Sequence, residues 1–153
     1  GRGDLVGTGA RADEADAVKR KSLGWKRVHL NTTDLLWSNV VRERDGWRCH
    51  WPLCARSKAR GAQIEAAHIL SRRYKQTKWM TVNGIALCWL HHRWAGEHDT
   101  EWQAFGKQSV GEEMYLRLLI LAKGPAARAP DEFATRLSLR AELARLKREQ
   151  VTA

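Results

Sequence analysis

Three runs decide how this chain is read: Ile64-Glu65-Ala66-Ala67-His68-Ile69, then Asn83-Gly84-Ile85-Ala86-Leu87-Cys88, then Trp89-Leu90-His91-His92-Arg93. Ile64 to Ile69 reads as a short strand. After a basic loop from Ser71 to Lys78, Asn83-Gly84 is a turn signal, Ile85 to Leu87 reads as a second short strand, and Cys88 onward can start a helix. Two strands and a helix this close in sequence predict a small α+β unit.

Upstream, Thr32-Thr33-Asp34 is an N-cap signal before Leu35, Leu36, Trp37, Val40 and Val41, whose spacing fits a helix ending near Arg44, where Asp45-Gly46 makes a turn. Downstream, Val110 to Ala122 reads as a helix with Met114, Leu118 and Leu121 on one stripe, stopped by Gly124-Pro125. A last helix from about Asp131 to Gln150 has acids at its start, bases at its end, and a stripe of Leu139, Leu143 and Leu146 to dock on the body or on a partner chain. Residues 1–30 read as a mobile basic arm. The expected division is therefore an arm over 1–30, a core domain over 31–108 and a helical extension over 109–153.

At 153 residues with 43% apolar content, the chain has room for one modest core. No apolar run approaches the ~20 residues that span a bilayer, and no signal segment opens the sequence, so a soluble, cytoplasmic protein without a membrane partner is expected. Three cysteines are an odd number, which a closed disulfide framework cannot use completely. Eight tryptophans demand either burial or a stacking surface.

The net charge is +10, and its location matters more than its sum. Between Arg48 and Arg93 lie nine basic residues against Glu65 alone, whereas the arm and the part from Gly111 onward are close to balanced. A segregated excess of this kind points to phosphate, hence to nucleic acid. Arg72, Arg73, Lys75, Lys78 and Arg93 are the expected backbone contacts to DNA, and Trp79, ending the basic loop, is a residue that could stack on or wedge into it.

Cys49 and Cys54 form one short-spaced pair, and Cys88 and His91 another. Soft ligands paired across two turns are how a tetrahedral Zn2+ site is assembled, and one histidine would complete what three cysteines lack. His50 is an alternative fourth ligand, though its place beside Cys49 points it elsewhere.

Around this frame, Ala67-His68-Ile69, Asn83 to Cys88 and His91-His92-Arg93 together resemble the HNH nuclease motif, and Arg44-Asp45-Gly46-Trp47-Arg48-Cys49 resembles its lead-in in zinc-containing members. The resemblance covers about residues 35–105. Ser71-Arg72-Arg73, Thr77-Lys78-Trp79, Trp102 and Gly111 extend it toward phage-encoded HNH proteins, including the NinG group of recombination nucleases, which would place the protein in host-cell cytoplasm. It implies a ββα-metal (His-Me finger) core with a structural zinc on Cys49, Cys54, Cys88 and His91, flanked by N- and C-terminal helices.

It also implies a metal-dependent DNA endonuclease. His68 would be the general base, Asn83 would fix the loop that carries it, and His92 would hold a catalytic Mg2+ or Mn2+. Many family members place a ligand just before the base, where this chain has Ala67. Glu65 shares a strand face with Ala67 and is the substitute ligand to test first, with Glu97, His98 and Asp99 after it. Competing readings are a zinc-stabilised DNA-binding or recombination-accessory module whose metal site has decayed, and a structural zinc domain that binds protein. The last helix also offers a homodimer face.

Overall fold

Asn31 opens the first helix. Its side chain accepts from the Asp34 backbone at 2.8 Å, and the Asp34 carboxylate accepts from the Asn31 backbone at 3.3 Å, a reciprocal box that satisfies two helix-end donors. The cap thus falls one residue ahead of the expected Thr32-Thr33-Asp34 signal. The structure, a computed structural model, describes residues 31–125 and 128–153, so the expected basic arm lies outside the described residues.

The described chain is α+β. Helix α1 (Thr32–Arg44) is followed by a narrow hairpin bridged between Arg48 and Ser57, then strand β1 (Ile64–His68) and strand β2 (Gly84–Cys88). Four more helices come after: α2 (Trp89–Glu97), α3 (Asp99–Val110), α4 (Glu112–Lys123) and α5 (Glu132–Thr152). The strands pair antiparallel, with Ile64 opposite Cys88 at one end and His68 opposite Gly84 at the other.

One core cluster lies between the sheet and helices α2 and α3, with Ile64, Ala67, Ile85, Leu87, Ala95 and Trp102 buried in it. A second joins Trp37, Val40 and Val41 of α1 to Trp79 and to Leu139 of α5, with Leu143 and Leu146 packed alongside. The leucine stripe of the last helix is therefore spent within its own chain. Helices α1 and α5 run parallel: Thr33 donates to Glu132 at 2.8 Å near their N-termini, and Gln150 donates to the Glu43 carbonyl at 3.3 Å near their C-termini. The residues set apart as an extension thus help close the core around α1.

Three expectations need correction. Helix α3 was not anticipated, although Trp102 and Gly106 sit four apart on its buried face. Helix α4 buries Leu118 and Ala122 with Tyr115 and Leu119 alongside, which rotates its inner face so that Leu121 is 45% exposed. Trp79 is no wedge: it is buried, and its Nε1 donates to Asp34 at 2.8 Å. No described helix is long and apolar enough to cross a membrane.

Candidate active site and metal centre

The hairpin after α1 brings the first cysteine pair to the end of β2. Cys49 donates its backbone N–H to the Arg56 carbonyl, Cys54 donates to the Trp51 carbonyl, and Leu53 between them takes a positive φ of 62° to complete the tight turn. Cys88 ends β2, and His91 lies one helical turn further on in α2.

The ligand atoms of Cys49, Cys54, Cys88 and His91 all lie within 4.8 Å of one another. His91 Nδ1 is 3.4 Å from Cys49 Sγ and 3.3 Å from Cys88 Sγ. Tetrahedral Zn–S and Zn–N bonds would set such an edge at about 3.5 Å, so the four groups fit a metal such as zinc. Burial pushes the Cys49 thiol up to about 12, and burial followed by the Arg56 charge lowers His91, so the imidazole is in the neutral form that a metal takes. His50 stands apart, its Nε2 against the Asp45 carbonyl at 3.0 Å.

At the other end of the sheet His68 is held on several sides. Its Nε2 lies 2.8 Å from the Lys78 carbonyl, and the Trp37 ring stacks on it at 3.9 Å with planes 12° apart. A carbonyl only accepts, so Nε2 carries the proton and Nδ1 the lone pair. Burial pushes the pKa of His68 down to about 4; the Lys78 carbonyl and Asp34 oppose this, while Arg72 and His92 reinforce it. The ring is a neutral base near pH 7.

Asn83 is fully buried and braces the segment that follows His68. Its Oδ1 accepts from Leu70 N at 2.8 Å, its Nδ2 donates to the Leu70 and Thr77 carbonyls at 3.1 Å each, and its own carbonyl accepts from Ile69 N at 2.9 Å. With both Nδ2 hydrogens used and Oδ1 directed at the backbone, the side chain acts as a positioning residue. Helix α3 adds a second brace that the sequence reading missed. Trp102 Nε1 donates to the His68 carbonyl at 3.0 Å, and Gln103 Nε2 donates to the Ile69 carbonyl at 2.9 Å. Gly106 lets this helix come close, since a Cβ there would meet Ile69 Cγ2 at 2.6 Å.

Glu65 and His92 come together, Oε2 to Nδ1 at 2.6 Å, while Gln63 donates to the other carboxylate oxygen at 2.7 Å. The hydrogen bond from His92 holds the Glu65 carboxyl below its usual range despite partial burial. In the neutral tautomer of this pair His92 Nδ1 carries the proton and Nε2 the lone pair, the arrangement in which a carboxylate can orient an imidazole from behind. Ala67, in contrast, is buried in the core and offers no donor. Glu97 pairs with Arg93 at 3.3 Å and His98 bonds the Trp94 carbonyl at 2.9 Å. Among the described residues, the group of three or more that could hold a metal is Cys49, Cys54, Cys88 and His91; Glu65 and His92, like Glu97, His98 and Asp99, do not join such a group.

Of the basic residues, Arg72 approaches Asp34 at 3.7 Å, Arg73 lies over the Tyr74 ring and Lys78 over the Trp79 ring, and Lys75 is exposed. No protein family, curated protein or solved structure matches the chain.

Proposed function

We propose that this chain is a metal-dependent DNA endonuclease of the HNH type, built on a ββα-metal core with a structural zinc at Cys49, Cys54, Cys88 and His91. His68 carries the proposal, as a neutral imidazole locked by Lys78 and Trp37 with Nδ1 left as the base. Hydrolysis of a phosphodiester needs a group to take the proton of the attacking water, and His68 Nδ1 is suited to it. His92 Nε2 would hold a divalent ion, with Glu65 fixing the ring and the remaining positions left to water and phosphate oxygens. When bound, Mg2+ or Mn2+ supplies Lewis-acid stabilisation of the phosphate and of the departing 3′ oxygen. Asn83, Trp102 and Gln103 hold the backbone beyond His68 in register. Arg72, Arg73, Lys75, Lys78 and Arg93 grip DNA phosphates.

A second reading is favoured by Ala67, which is buried where a further ligand would stand. On that reading the chain is a zinc-stabilised module that binds DNA without cutting it. Supercoiled plasmid incubated with Mg2+ or Mn2+ separates the two. Nicking that is lost both with EDTA and in His68→Ala supports the endonuclease; retardation of DNA without nicking overturns it in favour of the binding module.

A further inference from the structure

The zinc hairpin carries a cationic surface of its own. Arg48, Arg56, Lys58 and Arg60 stand on it with no acid between residues 46 and 64. All four are exposed, and among the described residues none pairs with a carboxylate. Lys58 lies 4.2 Å over the Trp47 ring. Beside them a shallow groove of about 550 Å³ is lined by Trp51, Leu53, Arg56, Arg60 and His91.

The position of this surface is set by the sheet. The hairpin is tied to the Ile64/Cys88 end, through Cys88 in the metal-ligating group and through His50 N donating to the Ala86 carbonyl at 3.0 Å. The basic loop of residues 71–78 leaves from the His68/Gly84 end. Four strand steps separate the ends, about 13 Å at the usual rise per residue, or roughly four base pairs along duplex DNA. Glu65 and His68 lie along β1 between the two cationic regions.

We propose that the zinc hairpin, through Arg48, Lys58 and Arg60, is a second phosphate-contacting surface for DNA, separate from the basic loop. This rests on the DNA half of the proposed function and not on cleavage. Backbone hydrogen bonds from Cys49 N to the Arg56 carbonyl and from Lys58 N to the Trp47 carbonyl hold the hairpin together, so little backbone ordering would be lost on binding. Each phosphate they neutralise should release counterions and steepen the salt dependence of affinity by ~0.9 in log–log slope.

The test is binding of the full chain to a fluorescein-labelled DNA duplex, followed by anisotropy without Mg2+ or Mn2+, from about 50 to 200 mM salt. Arg48→Gln/Lys58→Gln/Arg60→Gln should give a slope shallower by about three, and Arg60→Gln alone by about one. Arg72→Gln/Lys75→Gln in the loop should independently remove about two. Zinc content and circular dichroism check that each variant is folded; should the triple variant lose zinc, the single exposed Arg60 decides. Unchanged slopes in folded hairpin variants, with the loop variant flattened, would overturn the inference and leave the endonuclease reading standing. Wild-type protein that binds no duplex would overturn it as well. Flattened slopes in a protein that never nicks would uphold it while the endonuclease reading fails.

Discussion

Trp37 lies flat on His68, with ring centroids 3.9 Å apart, and its indole also covers Gly84, the residue that faces His68 across the sheet. The indole N–H donates to the Met80 carbonyl at 3.0 Å, which fixes its rotation. A helix residue thus sets the environment of a strand histidine, and the space it needs comes from a missing side chain opposite.

Gly84→Ala tests that packing. A Cβ at residue 84 would stand 2.6 Å from the Trp37 ring and 2.7 Å from Val41, both buried in the α1 core. Overpacking of this kind costs about 1–3 kcal/mol, read from urea unfolding. Displacement of the indole should also raise the titration midpoint of His68, followed by NMR of its ring protons. A variant as stable as wild type with His68 unmoved would contradict the arrangement.

Acid should destabilise the protein through the same histidine. Its folded value of about 4 lies below the ordinary 6.5, so the unfolded chain binds the extra proton first. The contribution is fully present above pH 6.5, is lost as the pH falls toward 4, and is level below that. Its ceiling is about 3 kcal/mol. His68→Gln should flatten this part of the stability curve. If the chain is an endonuclease, its rate should rise through pH 4 and be level by neutrality; a rate that peaked in acid would count against His68 as the base.

If the Cys49, Cys54, Cys88 and His91 cluster holds zinc, its removal should loosen the hairpin and the end of β2 together, because the cluster joins Cys49 and Cys54 of one to Cys88 of the other. Elemental analysis is expected to find about one zinc per chain, and Cys88→Ser or His91→Ala to lose it, with stability falling by several kcal/mol. A protein that folds to the same thermal midpoint with and without a strong chelator would defeat the four-ligand assignment.

Glu65→Gln keeps a hydrogen-bond acceptor for His92 but removes the charge. Stability should change by less than about 1 kcal/mol, since the pair is partly exposed. If the chain nicks DNA as proposed, the Mn2+ concentration needed for half-maximal nicking should rise ~10-fold or more, and Glu65→Ala should raise it further. Equal Mn2+ requirements in all three proteins would mean that Glu65 does not support a metal ligand.

Much of the local structure was legible in advance. The strands around Ile64 and Ile85 and the last helix with its leucine stripe were read close to their observed positions, since alternation, capping and helical spacing are local signals. The Cys49, Cys54, Cys88 and His91 cluster was legible for the same reason, from two short spacings, and the structure sets the alternative His50 apart on the Asp45 carbonyl. The Asn83-Gly84 turn signal holds for Asn83, which ends a 3-10 turn over Thr81–Asn83, while Gly84 already begins β2 in extended geometry, with φ −133°. Its lack of a side chain serves the indole above it, a requirement that no neighbour in sequence announces.

By itself, then, the sequence determined which cysteines and histidine come together, the two strands and the concentration of positive charge between Arg48 and Arg93. Only the tertiary structure decided that Trp37 covers His68, that Trp102 and Gln103 clamp the backbone after it, that Trp79 is core, and that Glu65 meets His92. It also decided that α5 packs on α1 through Leu139, with Leu143 and Leu146 alongside. The division is physical. Periodicity and ligand spacing act over a few residues, whereas Trp37 and Trp102 reach His68 from 31 residues before it and 34 beyond it and meet it only when apolar burial brings their helices onto the sheet.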